Sequence, residues 1–408
     1  MTTSETRAQV LVAGAGPVGM TAAYMLARRG VTARVLEAGA DLSTESRAST
    51  FHPPTLEMLD ELELAEDLRA QGIDVPTFQH RDRSEGLIAE FDLSLLREDT
   101  RFPFRVQCEQ SKLTRIILDK MEQLPNVEVV FDARVTAVAQ DRAGVSVQLA
   151  DGRSFSADYL IGADGASSAV RQTLGIDFEG QTYPERYLVI STREDIKRWM
   201  PDIAYVNYIS DPREWVVLLR TPQHWRAMFP VAEGTSDEEA LATGHVQRMM
   251  SIVGDCPGGW PILHTTLYRV HQRVAGQYRE GRVFLAGDAA HINNPLGGLG
   301  MNSGIHDAYM LARILGDRLV GLASEDELDT YEEQRREVSR AYVAVETDKN
   351  WRRIRERDEV QRQNQFAELR SIVADRERHR QHVRKTCMVS ELAQARQLGE
   401  RQEHFRWA

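Results

Sequence analysis

The residues able to do chemistry in this chain gather in three glycine-rich stretches; no nucleophile triad and no histidine–carboxylate spacing suited to a metal is evident. In the first stretch, Gly14-Ala15-Gly16-Pro17-Val18-Gly19, the glycines permit a tight turn and let the backbone approach a pyrophosphate closely. A helix N-terminus placed just after them would favour that negative charge. Glu37 stands at the end of the next predicted strand, where its carboxylate can accept hydrogen bonds from a ribose diol. Together they indicate an adenine dinucleotide and leave FAD and NAD both open.

The elements around this stretch suit that task. Residues 8–13 (AQVLVA) read as a buried strand, MTAAYMLARRG as a helix stopped by Gly30, and VTARVLEA as a second strand, the opening of a parallel sheet. LTRIILDKMEQL (113–124) has the periodicity of an amphipathic helix. VEVVFDARVTAVAQD and GVSVQLADGRSFSADYLIGADG supply alternating strands. From about 178 to 275 aromatic and β-branched residues with polar turns predict a mostly antiparallel sheet. GRVFLAGDAA (281–290) returns to a buried strand, and a helix is expected from Gly300. From 330 to 400 the pattern is helical and heavily charged, without a strict heptad.

The second stretch, Asp158-Tyr-Leu-Ile-Gly-Ala-Asp164-Gly165 with Arg171 beyond, is a strand entering a turn and a short helix. The third runs from Gly281 through Gly287-Asp288 and His291 into Pro295-Leu-Gly-Gly298-Leu299-Gly300-Met301-Asn302. The three in this order, over about residues 8–315, resemble the fingerprints of the flavoprotein aromatic hydroxylases. GGLGMNSGIHDA looks closest to the phenol, nitrophenol and hydroxyphenylpropionate hydroxylases within that group. The resemblance implies an α/β fold: a Rossmann-like FAD-binding domain of the glutathione-reductase type, an inserted, mostly antiparallel substrate sheet, and a C-terminal helical region. The corresponding divisions are 1–177 (with a substrate-side segment near 75–105), 178–275, 276–330 and 331–408.

It further implies FAD as cofactor, NADH or NADPH as transient co-substrate, O2, and hydroxylation of a small phenolic or heteroaromatic ring through a flavin C4a-hydroperoxide. Other flavin oxidations (epoxidation, heteroatom oxidation, NAD(P)H oxidation) and a non-catalytic FAD-binding role stay open. By this resemblance Asp288 bonds the ribityl chain and Asp164 belongs to a motif touching FAD and nicotinamide. Arg47 and Gln107 contact the flavin side, and the Val135 backbone meets the adenine. Pro295 offers its carbonyl to the hydroxylated carbon. Gly298, Leu299, Gly300, Met301 and Asn302 present backbone donors to the flavin edge where reduction places negative charge. Arg47 and Pro295 are thus the residues expected nearest the chemistry. Only one glycine fingerprint is present, which suits a nicotinamide that docks transiently.

The middle sheet should supply the substrate pocket, with Tyr205, Asn207, Tyr208, Trp215, His224 and Phe229 as candidates. The net charge of −11 speaks against nucleic acid. Cys108, Cys256 and Cys387 lie far apart, which suggests neither disulfides nor zinc and fits a reducing cytoplasm. The apolar stretch Leu11–Ala27 is broken by glycines and lacks a basic leader, so no membrane span is expected. The charged C-terminal helices are left with three roles: a solvated face, a cover for the site, or pairing in a homodimer.

Overall fold

The computed structural model describes residues 7–45 and 48–391. Strand Val10–Ala13, apolar and buried throughout, lies inside a six-stranded sheet. Ala33–Leu36 and Tyr159–Gly162 flank it in parallel. Val127–Val130 and Val283–Leu285 extend the sheet in parallel, and Arg279–Glu280 adds an antiparallel edge. Strands covered on both faces read as unbroken apolar runs, which is why VLVA, YLIG and VFL show no alternation. The first crossover helix is Pro17–Arg28. It starts at Pro17 rather than at Met20, where the apolar run begins, since proline in a first turn forfeits no hydrogen bond. The strand predicted over 281–290 is shorter than expected: after Leu285 the chain turns into a 3-10 segment, Gly287–Ala289.

The other large layer is an eight-stranded sheet. Its order is His291–Ile292, Ile262–Ala275, Phe178–Thr192, Trp225–Val231, Val216–Arg220, Val206–Ser210, Thr77–Asp82, Gly86–Asp92. Every pairing is antiparallel except Val206–Ser210 with Thr77–Asp82. Two short helices, Asp237–Leu241 and Thr243–Ser251, interrupt the region read from sequence as strands alone. They cover one face of the sheet, packing Ala240, Val246 and Met249 on Leu188, Ile190 and Phe229. On the opposite face Tyr187, Tyr208, Trp215 and Met228 meet Leu296, Phe366, Leu369 and Val383.

Those last three residues belong to the charged C-terminal helices Glu359–Ala374 and Arg376–Thr386, which are therefore an internal cover. Arg370 pairs with Glu85 at 2.8 Å, Arg380 with Asp99 at 2.9 Å, and Arg384 also with Asp99. Ion pairs this exposed contribute about 1 kcal/mol at most. The apolar contacts, with Phe91 stacked on His382 at 4.3 Å, hold the helices down. No helix among the described residues is long and apolar enough to cross a membrane.

Helix Gly300–Leu319 is tied to the rest by buried charges. Arg335 donates to Asp307 at 2.7 Å and to Glu391 at 2.6 Å, while His291 lies 2.8 Å from Asp307 and His306 lies 2.9 Å from Glu391. Burial raises the Glu391 carboxyl, but His306 and Arg335 outweigh it and hold it at about 2. A carboxylate depressed in this way stabilises the fold fully above its ordinary value of 4.5, and that contribution fades as pH falls toward about 2. Glu391→Gln leaves Arg335 half-paired in the interior and should cost about 3–5 kcal/mol at neutral pH. Thermal unfolding against pH checks this: the gap from wild type should shrink on acidification below 4.5, and a gap that stays constant would refute the linkage.

Candidate functional site

Each glycine of the first stretch does a separate job. Gly14 has φ +100°, and a Cβ there would lie 2.4 Å from the Ala163 carbonyl oxygen. At Gly19 a Cβ would fall 2.0 Å from the Gly14 carbonyl oxygen, so the helix can pack on its own entry loop only without a side chain. Gly16 differs: a Cβ would meet nothing within 4 Å. It faces open space at the N-terminus of helix Pro17–Arg28, which carries no side-chain cap. Uncapped N–H groups, a positive helix end and a residue with no side chain make a cradle for a pyrophosphate. Glu37 accepts the Ala15 N–H at 2.7 Å and the Gly39 N–H at 2.9 Å, which fixes its carboxylate beside this cradle. Ala133 N–H bonds the Glu37 carbonyl at 2.7 Å and so brings the start of strand Val135–Asp141 to the same end.

The second and third stretches converge on the first. Gly287 and Gly304 both lie where an added Cβ would strike Val18, at 2.7 Å in each case, so the loop, the Gly287-Asp288 turn and helix Gly300–Leu319 form one packed unit. Asp288 stands exposed on that turn. Asp164 accepts the Val170 N–H at 3.1 Å with one oxygen, and its other oxygen is buried without a partner. Arg171 donates to the carbonyls of Ala289 and Ala166, both at 2.8 Å. It staples the two turns together. Gln107 is fully buried, donates to Thr50 Oγ1 at 2.8 Å, and leaves its own oxygen unpartnered. Arg47 lies outside the described residues.

In the loop 295–302, Pro295 accepts the Gly298 N–H at 3.0 Å, while Gly297 and Gly298 have φ +113° and +69°. A Cβ on Gly298 would crowd Thr50 at 3.1 Å, and one on Gly300 would meet Asn293 at 2.7 Å. Helix Gly300–Leu319 then starts at Leu299 with no side-chain cap. Asn302 donates to the carbonyls of Thr50 and Gly298, and its oxygen accepts the His52 N–H and the Thr55 hydroxyl. His52 bonds the Gly297 carbonyl at 3.0 Å, and burial with the nearby Arg105 charge holds its imidazole well below the ordinary range. Leu299 is buried among Val338, Tyr342, Val343 and Met388, and Met301 is half-buried.

Beside Gly297 and Leu299 lies a small cavity. Phe78, His80, Arg105 and Tyr208 wall it from the strands; Tyr342, Glu346, Asn350 and Thr386 wall it from the C-terminal helical region. Of the six substrate candidates read from sequence, only Tyr208 reaches this cavity. Trp215 backs it at second hand: its ring meets Tyr187 edge-on at 5.0 Å, and Tyr187 accepts from Asn294, just before Pro295. Asn207 turns away and bonds the Ala204 carbonyl at 2.6 Å. Tyr205 packs against Trp225, and His224 lies beside Thr221 and Glu109. Phe229 is on the far face of the sheet. Alternation explains the split, because neighbouring residues of a strand serve opposite faces. Sequence reasoning missed Phe78, His80 and Arg105; a charged residue inside the buried run RVQ was the available signal.

This fold and geometry define a flavin-binding oxygenase, and the comparisons agree. Residues 7–346 match the family described as FAD binding domain, and the chain belongs to it. Para-nitrophenol 4-monooxygenase of Pseudomonas sp. (strain WBC-3) is 34% identical over 385 residues, covering 93% of this chain and 95% of that protein. A 6-hydroxy-3-succinoylpyridine 3-monooxygenase of Pseudomonas putida is 32% identical over 388 residues, covering 92% and 96%. The crystal structure of a p-nitrophenol 4-monooxygenase from Pseudomonas putida superposes with a TM-score of 0.89 at 30% identity, covering 95% of this chain and 98% of that one. The protein is a flavin-dependent aromatic monooxygenase with FAD as its cofactor.

Residues present here fit FAD: Gly16 leaves room for a pyrophosphate, and Asp164 and Gln107 each keep a buried oxygen able to accept a hydrogen bond. Gly16→Ala should fold normally yet bind FAD roughly tenfold more weakly, about 1.4 kcal/mol. Gly19→Ala, by contrast, should fail to fold. Fluorescence titration of the FAD-free protein with FAD, alongside thermal unfolding, separates the two; wild-type affinity in Gly16→Ala would remove the pyrophosphate from this loop. Asp288→Ala should likewise lose bound flavin on dilution.

Proposed function

We propose that the protein consumes NADH or NADPH and O2 to hydroxylate a small phenolic or hydroxypyridine ring. The net reaction is ArH + NAD(P)H + H⁺ + O2 → ArOH + NAD(P)⁺ + H2O. The observation that carries it is the aromatic-walled cavity lined on one side by Gly297 and Leu299 of the glycine loop 295–302. Residues 1–177 and 276–330 hold the cofactor in this reading, and 75–105 with 178–275 hold the ring. The printed names of two relatives support the substrate class: each places oxygenation on a ring that also bears a hydroxyl.

Bound FAD supplies two-electron transfer and the activation of oxygen. The chain's own residues do the rest. The uncapped N-terminus of helix Gly300–Leu319 directs its N–H groups and positive dipole end toward the loop, where negative charge on the cofactor is favoured. Phe78, Leu299 and Tyr342 give the ring an apolar slot and keep water out, which protects a reactive oxidant from wasteful breakdown. The Pro295 carbonyl and the Gly298 N–H hold the turn between ring and cofactor.

The test is a panel of phenol, 4-nitrophenol and hydroxypyridines added to the FAD-loaded protein with NADH or NADPH. At least one should accelerate nicotinamide oxidation and yield a product one oxygen heavier or, where the attacked carbon carries the nitro group, a quinone with nitrite released, in amount equal to the NAD(P)H consumed. Stimulation that ends only in hydrogen peroxide across the whole panel would overturn the hydroxylase reading.

A further inference from the structure

His306 lies in the second turn of helix Gly300–Leu319, fully buried, with both ring nitrogens engaged. Nδ1 is 2.9 Å from Glu391 Oε2, and Nε2 is 2.9 Å from Thr55 Oγ1. Where the protons sit follows from the neighbours. Asn302 receives the His52 N–H on its side-chain oxygen at 2.9 Å and gives its amide protons to the Thr50 and Gly298 carbonyls. Its orientation is thereby fixed, because a flipped amide would set donor against donor and oxygen against two carbonyls. The Thr55 hydroxyl must then donate to the Asn302 oxygen, at 2.7 Å. A hydroxyl has one proton, so toward His306 Nε2 it can only accept. Glu391, ionised beside Arg335 at 2.6 Å, can likewise only accept from Nδ1. Both nitrogens of His306 are therefore donors.

Charge balance gives the same answer independently. Asp307 and Glu391, both buried, share the guanidinium of Arg335, which bonds them at 2.7 and 2.6 Å. His291 meets Asp307 through Nε2 at 2.8 Å and has no partner on Nδ1, so one proton satisfies its bonds. Two anions against one cation leave a negative charge unmatched in a dry interior, a costly arrangement that a cationic His306 removes. His52, just before helix Pro53–Glu61, is kept neutral by burial, then by Arg105 and by His306 itself.

We propose that His306 is a buried imidazolium that acts as a positioning residue for the cofactor. It locks Thr55 and Asn302, and with them the first turn of helix Gly300–Leu319, and it sets a fixed positive charge behind the loop 295–302. A neutral ring can donate to Glu391 or to Thr55 but not to both. The anion sits at Nδ1 and the tie to the loop at Nε2, so the positive side of the pair is turned toward the loop. That charge adds to the helix end and favours electrons arriving on the cofactor. The proposal rests on FAD binding alone, not on the hydroxylase reading.

Two measurements test it, and neither involves turnover. In FAD-free protein carrying nitrogen-15-labelled histidine, the His306 ring is assigned by its absence in His306→Gln or His306→Arg. At mildly alkaline pH, where a free imidazole carries one N–H, this ring should show two. A single proton there would overturn the proposal. In FAD-loaded protein, equilibrated with a dye of known potential, His306→Gln should lower the ratio of reduced to oxidised flavin about tenfold, a shift of about 30 mV to the negative for two electrons. His306→Arg keeps the charge and supplies donors to both partners, and should restore most of the shift. Should His306→Gln not fold, Thr55→Val carries the test: with no acceptor left at Nε2 the second proton has no bond to make, and the midpoint should move the same way by less. A midpoint equal to wild type in the folded variant would overturn the proposal, since a purely structural contact changes stability and leaves the potential in place.

Discussion

The first turn of helix Gly300–Leu319 is fixed by one side-chain amide, and the site takes its shape from that. Asn302 gives its two protons to the carbonyls of Thr50 and Gly298, at 2.8 and 2.7 Å, and receives the His52 N–H and the Thr55 hydroxyl at 2.9 and 2.7 Å. It is fully buried, so each bond is made in a medium of low polarisability and strengthens the others. An aspartate of the same shape would lose both donors. The result is that residues 50–55 and 298–302, remote in sequence, move as one piece. The helix N-terminus then stays pointed at the site without any side chain occupying its open N–H groups.

What could be read from sequence divides along physical lines. Glycine positions were readable because their requirement is local: a positive φ at Gly14 or Gly297, or a close approach at Gly19. The alternation of the middle region gave the sheet, and one extra residue of register flips a strand's faces. Six aromatic and polar candidates there could not be sorted without knowing which face met the loop, and only Tyr208 proved to. His80 and Phe78 were harder still. Their strand, Thr77–Asp82, joins the sheet by parallel pairing with Val206–Ser210 across a long stretch of chain, and no local pattern encodes that partnership.

The C-terminal helices show how charge can mislead. Read alone, their arginines suggest a solvated face or a subunit contact as readily as a cover for the site. In the structure they meet acids on residues 82–99, while a few apolar residues such as Phe366 and Leu369 do the packing. Earlier in the chain, between helices Asp329–Val338 and Ala344–Ile354, a π-turn, Ser339–Val343, carries Tyr342 onto the cavity wall. An extra residue in a helical turn swings side chains to a new face, a distortion common near functional sites. The cover is thereby part of the site's wall, and Glu391, at its end, is clamped to Arg335 and His306.

Five residues with buried polar atoms left unpartnered lie near the glycine-rich turns. Asp164 abuts Gly14; Gln107 bonds Thr50, which crowds Gly298; Ser49 and His52 flank the short strand Thr50–Phe51; Arg105 lies two residues before Gln107 and shares the cavity with Gly297. Each such atom costs about 1–3 kcal/mol relative to a satisfied one. A core selected only for stability would have shed that burden, as the fully bonded Asn302 beside them illustrates.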